Sequence, residues 1–278
     1  MRELGWKLGA VVTRNESSAR RAVRFIGAGK ACVGMSRRIL TSTCILIATP
    51  DGAIEEVAKE LARIGSEELQ GQVVLHTSGA MDSSVLSAVR ACGAAVGSMH
   101  PLQTFNGVTV PPLEGKVFAI EGDAMAVRTA RKIARTLGAV PSQIEPRNKP
   151  LYHAASALAA GHTLVVVEAA IQLLTSLGMK RGEALRALLP MTRQVLQNYE
   201  RLGPRAAWTG PLARGDYQVV AKHLNVLRQH SPEYGNAYEA LNRLAEQVLT
   251  REAADRPPAA AKVEEIKKSK VQCIGGKG

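Results

Sequence analysis

At 278 residues, 46% of them hydrophobic, the chain can bury a sizeable core and reads as two domains rather than one. Cys32, Cys44, Cys92 and Cys273 form no CxxC pair, which excludes a zinc cage or disulfide framework, and no charged and apolar leader opens the chain, so a reducing cytoplasm is expected. Of the net charge of +12, residues 1–50 carry +7 and residues 251–278 carry +3, so the excess is terminal and no nucleic-acid-binding face is expected.

The first half alternates strands with helices. Leu8 to Thr13 is a short apolar run, Glu16 to Phe25 has helical spacing, and Ala31 to Gly34 is a weak strand. Cys44 to Thr49 is a strong buried strand, broken by Pro50-Asp51-Gly52 before a helix over Ala53 to Ile64, with Asp51 as the expected N-cap. Val73 to Thr77 and the helix Ser83 to Ala91 repeat the pattern. Ala94 to Met99 and Val117 to Glu121 supply two more strands, and Ala124 to Leu137 another helix. This order predicts a doubly wound, mainly parallel α/β sheet over residues 1–150.

After Pro150 the strand signals vanish. Helices are predicted at Leu151 to Leu177, Lys180 to Leu202, Asp216 to His230 and Glu233 to Thr250, broken at Gly178, Gly203-Pro204 and Ser231-Pro232. An all-α domain is thus expected over residues 151–250, followed by a disordered basic tail over 251–278. Ala154 to Leu177 is long enough to cross a bilayer, but His162, Glu168 and Gln172 interrupt it. A helix packed on all sides, in part against a second subunit, is the expectation, with no membrane partner.

Gly27-Ala-Gly29 resembles a dinucleotide fingerprint but follows a helix and precedes a strand, so a helix C-cap is expected there. Thr13-Arg14-Asn15 ends the first strand, where a Rossmann fold meets the adenosine ribose. Arg14, with Arg20 or Arg21, can offer a guanidinium to the 2′-phosphate of NADP; a solvated turn arginine is the alternative. The turns Ala48-Thr49-Pro50 and Thr77-Ser78-Gly79 lie at the carboxyl ends of adjacent strands and are expected to border the nicotinamide. Ser78 and His100 are expected to converge on the reacting carbon, with His100 moving a substrate proton; a histidine held by the tight Pro101 turn is the alternative.

Lys149 and His153 open the long helix and are candidates for the catalytic site, against ordinary helix N-terminal chemistry. His162 and Glu168 are expected to be structural, as is the loop Gly210 to Asp216, although Arg214 could reach an anionic substrate. No metal-ligating cluster is evident.

Ala48-Thr-Pro-Asp51, Leu75-His-Thr-Ser-Gly79, Gly97-Ser-Met-His-Pro-Leu-Gln-Thr-Phe105, Leu151-Tyr-His-Ala-Ala155 and Thr209-Gly-Pro-Leu-Ala-Arg-Gly-Asp216 together resemble one bacterial family over residues 3–250. That family joins a Rossmann-like domain to a helical C-terminal domain of unknown function, and is related to 6-phosphogluconate dehydrogenase and pyrroline-5-carboxylate reductase. The resemblance implies an NADP-type cofactor and a homodimer built through the helical domain, with a small-molecule substrate left open. Ser78 and His100-Pro101 also look like the serine and His-Pro elements of prephenate dehydrogenases. Family members begin with a strand and a Gly-rich turn, and Arg2 to Lys7 looks like the end of the helix that follows them. The sheet is therefore expected to lack its first strand, with Met1 as an internal start. Two functions remain open: an oxidoreductase acting on a small anionic metabolite, and a non-catalytic sensor or scaffold that keeps the fold.

Overall fold

In the computed structural model, residues 5–250 are described, and they divide into two compact units with the boundary between His162 and Thr163. The tail expected over 251–278, and residues 1–4 of the segment expected to end a preceding helix, lie outside the described residues.

In the first unit, strand β1 (Ala10–Thr13) leads into helix α1 (Glu16–Ile26) and back into β2 (Lys30–Val33), which runs parallel to β1. The Asn15 side chain caps α1 by accepting from the Ser18 N–H. Gly27 ends α1 in the left-handed region (φ 73°), its N–H on the Val23 carbonyl, so the Gly27-Ala-Gly29 run closes a helix as its placement predicts.

A second sheet holds β3 (Cys44–Ile47), β4 (Val73–His76), β5 (Ala95–Pro101), β6 (Val117–Gly122) and β7 (Val140–Gln143) in that order. Strands β3, β4 and β5 are parallel, β6 is antiparallel to β5, and β7 is parallel to β6. Among the described residues the β1–β2 pair shares no ladder with this sheet. Helices α2 (Asp51–Ile64), α3 (Ser87–Ala91) and α4 (Ala124–Thr136) complete the winding. Asp51 is the first helical residue of α2 rather than its cap, a place where its carboxylate meets the positive end of the helix.

Side-chain alternation divides the core. Ile45, Val74 and Val96 face α2 and α3, where Ile54, Ala58, Leu61 and Val89 are buried. Val73, Leu75, Met99, Phe118 and Ile120 face α4, against Ala126, Ala130 and Ile133. On the first face, the row two residues towards the carboxyl ends of the parallel strands changes character. Ile47 pairs with His76, His76 with Ser98, and Ser98 with Glu121. An apolar layer thus gives way to a buried polar row.

Helix α5 (Lys149–Ala157) follows, continued by a π-helical turn at Leu158–His162. In the second unit, α6 (Thr163–Ser176), α7 (Arg181–Leu202), the short α8 (Pro204–Ala207), α9 (Tyr217–His230) and α10 (Pro232–Val248) are separated where glycine and proline predict. Arg181 grips Glu168 with two hydrogen bonds of 2.7 and 2.9 Å, fixing α7 on α6. The His223–Tyr238 and Arg228–Glu239 contacts join α9 to α10, and Tyr234 reaches Gln172 of α6.

The long apolar helix is left largely bare by the described residues of its own chain. The helical run Pro146–Ser176 is long and apolar enough to cross a membrane by length and composition, yet the described residues of its own chain do not enclose it. Leu151 is 75% exposed and Leu164 69%, with Leu158, Val165 and Val166 also bare. Among the described residues no second layer covers these side chains within either unit.

Candidate active site at the strand ends

The buried polar row needs partners, since an unpaired polar group in the core costs about 1–3 kcal/mol. His76 is fully buried and supplies two contacts. Its Nδ1 accepts from the Ser78 N–H at 3.2 Å, so Nε2 carries the proton and donates to the Asp82 carbonyl, also at 3.2 Å. Burial, then the charge of Lys149, pushes the His76 pKa down to about 4, and the ring is neutral. The Ser78 hydroxyl accepts from the Ala80 and Met81 N–H groups at 3.2 and 3.0 Å, folding the Ser78-Gly79-Ala80 turn on itself.

Lys149 closes the arrangement from above. It is the largest fully buried side chain, and its Nζ donates to the Ser78 carbonyl at 2.6 Å and to Ser98 Oγ at 2.7 Å. Burial lowers its pKa to about 8, against the opposing pull of Glu121, Asp82 and Asp51. Glu121 is buried too, with Oε2 accepting from Ser83 Oγ at 2.8 Å and Oε1 without a partner among the described residues.

His100 stands two residues beyond Ser98 on the same face, with Nδ1 2.9 Å from Tyr152 Oη. Its ring lies edge-on to those of Tyr152 and His153, at centroid distances of 5.6 and 5.9 Å. Burial, with the charges of Lys149 and His153, pushes its pKa down to about 4, while burial raises that of Tyr152 to about 12. Gly79 fits between the histidines because it has no side chain. A Cβ there would lie 2.5 Å from His153 Cδ2 and 2.8 Å from His100 Nε2.

Ser78, His100, Lys149 and His153, selected from separate stretches of sequence, are therefore brought together around one turn. The buried partners His76, Ser98 and Glu121 escaped sequence reasoning, as did a role for Tyr152. The available signal was a polar residue at a buried register position in apolar strands, as in Val-Val-Leu-His76 and Phe-Ala-Ile-Glu121.

Among the residues expected to hold a cofactor, the Thr49 hydroxyl is buried without a partner among the described residues, between exposed Ala48 and Pro50. Thr13 Oγ1 donates to the Asn15 carbonyl, and Asn15 itself is spent as a helix cap. Arg14 is exposed in the turn after β1. Arg20 is held by Glu16 and Arg21 lies against Ser18, so Arg14 stands apart from the helix-bound arginines. In the second unit, Arg214 pairs locally with Asp216. In the first, His162 Nδ1 bonds to the Ala157 carbonyl within the π turn. Among the described residues no group of three or more His, Cys, Asp or Glu side chains could hold a metal ion.

Residues 3–101 match the Rossmann-like domain model, and residues 116–245 match that of the domain of unknown function DUF2520. The chain joins a Rossmann-like domain to a DUF2520 domain. Solved structures repeat this two-part fold. A protein from Thermotoga maritima is 24% identical with a TM-score of 0.68, the match covering 87% of this chain and 91% of that one. The "putative NADP oxidoreductase" of Bacteroides fragilis is 21% identical with a TM-score of 0.67, over 88% and 90%. Pyrroline carboxylate reductase of Plasmodium falciparum, solved with NADP bound, is 13% identical with a TM-score of 0.52, over 87% and 98%. No curated protein matches the sequence. At these identities the likeness is one of fold, and the DUF2520 match begins inside the α/β region, at β6.

The neutral histidines give a measurable signature. Between pH 6.5 and 4 the unfolded chain takes up protons on His76 and His100 that the folded chain refuses, so stability is full above about pH 6.5 and falls as pH drops towards 4. For the fully buried His76 alone the loss is on the order of 3 kcal/mol. NMR titration should place both imidazole midpoints near 4, and midpoints near 6.5 would contradict the packing described.

Proposed function

We propose that the chain is an NADP-dependent oxidoreductase acting on a small anionic metabolite, with its reacting centre at the carboxyl ends of β3, β4 and β5. The observation that carries this reading is the convergence of the Ser78-Gly79 turn, His100, Lys149 and His153 beside the Thr49 turn. Ligands of open α/β sheets bind at such strand ends. A Rossmann-like fold whose structural relatives include a "putative NADP oxidoreductase" and an NADP-bound reductase supports a nicotinamide dinucleotide there.

Two local features fit that group. The orphaned Thr49 hydroxyl needs a hydrogen-bond partner, and the bare Gly79 backbone lets the His100 and His153 rings close in on the turn, where a side chain would displace them. When bound, the cofactor supplies or accepts the hydride. Lys149 is too buried to touch substrate; its role is to fix Ser78 and Ser98 and to project positive charge at the turn. That field favours an anionic substrate, and an oxygen on which negative charge develops. His100, neutral and beside Gly79, handles the proton. His153 borders the substrate, while Thr13, Arg14 and Asn15 form the ribose end, with Arg14 selecting the 2′-phosphate.

Titration with NADPH and NADH tests this assignment. NADPH should bind more tightly, and Arg14→Ala should weaken NADPH about 10- to 100-fold while leaving NADH unchanged. Equal binding of both in the wild type rejects the NADP assignment, and a folded protein that binds neither favours the sensor or scaffold reading.

The bare apolar stripe supports a homodimer through the helical half, since Leu164 and Val165 need cover. The proposed compartment is the cytoplasm. Light scattering should give twice the chain mass for the wild type and the monomer mass for Leu164→Glu. A wild-type monomer that sediments with lipid vesicles would instead assign the stripe to a membrane surface.

A further inference from the structure

Tyr152 is the polar group of the site to which the oxidoreductase reading gives no task. It lies one turn along α5 from Lys149, and its hydroxyl is 2.9 Å from His100 Nδ1. Two proton arrangements satisfy that distance. In one the phenol donates to Nδ1; in the other Nδ1–H donates to the phenol oxygen. The first pairs the better acid with the better base, because even a phenol raised by burial to about 12 gives up its proton more readily than a neutral imidazole N–H. With Nδ1 accepting, the single ring proton sits on Nε2. The Nε2 edge is the one that faces Gly79, where a Cβ would come within 2.8 Å of Nε2 and 2.9 Å of Cε1.

We infer that Tyr152 is a positioning residue that sets the tautomer of His100 and stands behind it in a two-step proton relay ending at the Gly79 turn. The inference rests on the oxidoreductase reading for its chemistry, although the tautomer stands without it. In reduction of a carbonyl substrate, a bound reduced nicotinamide dinucleotide would supply the hydride taken up at the carbonyl carbon, and the C–O π pair would become a lone pair on oxygen. That oxygen takes the proton from His100 Nε2 and becomes a hydroxyl. His100 Nδ1 takes the Tyr152 proton as Nε2 gives up its own, so the imidazole ends neutral. The tyrosinate left behind recovers a proton from solvent. Oxidation runs the same transfers backwards, with tyrosinate as the terminal base.

The relay separates two kinds of residue. His100 meets the reacting oxygen, whereas Tyr152 acts through His100 and is distinguished from a packing residue by what it does to the ring.

The test is nitrogen-15 NMR of the imidazoles in the full chain. Two-bond nitrogen–proton couplings should show His100 as the Nε2–H tautomer in the wild type, and Tyr152→Phe should remove that preference and shift the Nδ1 resonance. An Nδ1–H tautomer in the wild type overturns the inference without need of any variant, and so does a spectrum unchanged by Tyr152→Phe. Once a substrate is in hand, Tyr152→Phe should lower kcat at least 10-fold with little change in KM, and full turnover in that variant refutes the relay. Failure of the wild type to bind either dinucleotide counts against the oxidoreductase reading and overturns the relay with it, whereas the tautomer is decided by the NMR couplings alone.

Discussion

A buried ammonium holds the candidate site together. Lys149 leaves water entirely and is compensated by two short hydrogen bonds rather than by a contact ion pair, with the carboxylates of Glu121, Asp82 and Asp51 acting through space. Such an arrangement is costly unless every bond is well made, because removing a charge from water costs several kcal/mol. It therefore constrains its neighbours strongly: the Ser78 carbonyl must point at Nζ, and Ser98 must present its hydroxyl. One side chain thereby ties the first turn of α5 to the ends of β4 and β5. Tyr152 and His153, on the same turn of helix, are carried to His100 as a consequence.

The electrostatic result is a positive centre beside the neutral imidazoles of His76 and His100. His76 is neutral because both its nitrogens are occupied in a dry environment next to a cation, and it serves the turn rather than the chemistry. His100 is neutral through the same burial and the same cation but keeps one edge towards Gly79. The histidines at the ends of β4 and β5 thus divide into a structural member and one that can move a proton. The division comes from where each ring nitrogen points, not from the residue type.

Much of the α/β half was legible because buried parallel strands are written as short apolar runs punctuated by turn residues, as in Cys-Ile-Leu-Ile47 before Pro50. The edge strand β7 was not, since Val-Pro-Ser-Gln143 is mostly exposed, is interrupted by proline and lacks any apolar run. The antiparallel turn of β6 was equally hidden, because pairing direction leaves little trace in a single strand. The strand-end residues Ser78 and His100 were found from their position after apolar runs. Lys149 is harder to read, because a lysine at a helix start is usually solvated and nothing local reveals that this one is enclosed. Glu121 and Ser98 were invisible for a related reason: their partners lie 38 and 51 residues away, at Ser83 and Lys149. The long apolar helix was legible as an element, but not in its exposure, which depends on what the rest of the chain fails to cover.

The most direct measurement is the protonation midpoint of Lys149 itself, followed through the side-chain carbon and nitrogen resonances of labelled lysine. A buried ammonium clasped by Ser78 and Ser98 should titrate near pH 8, apart from the solvent-exposed lysines. A Lys149 that titrates with the others, near 10.5, would mean that the side chain lies in water and that the strand ends are not gathered around it.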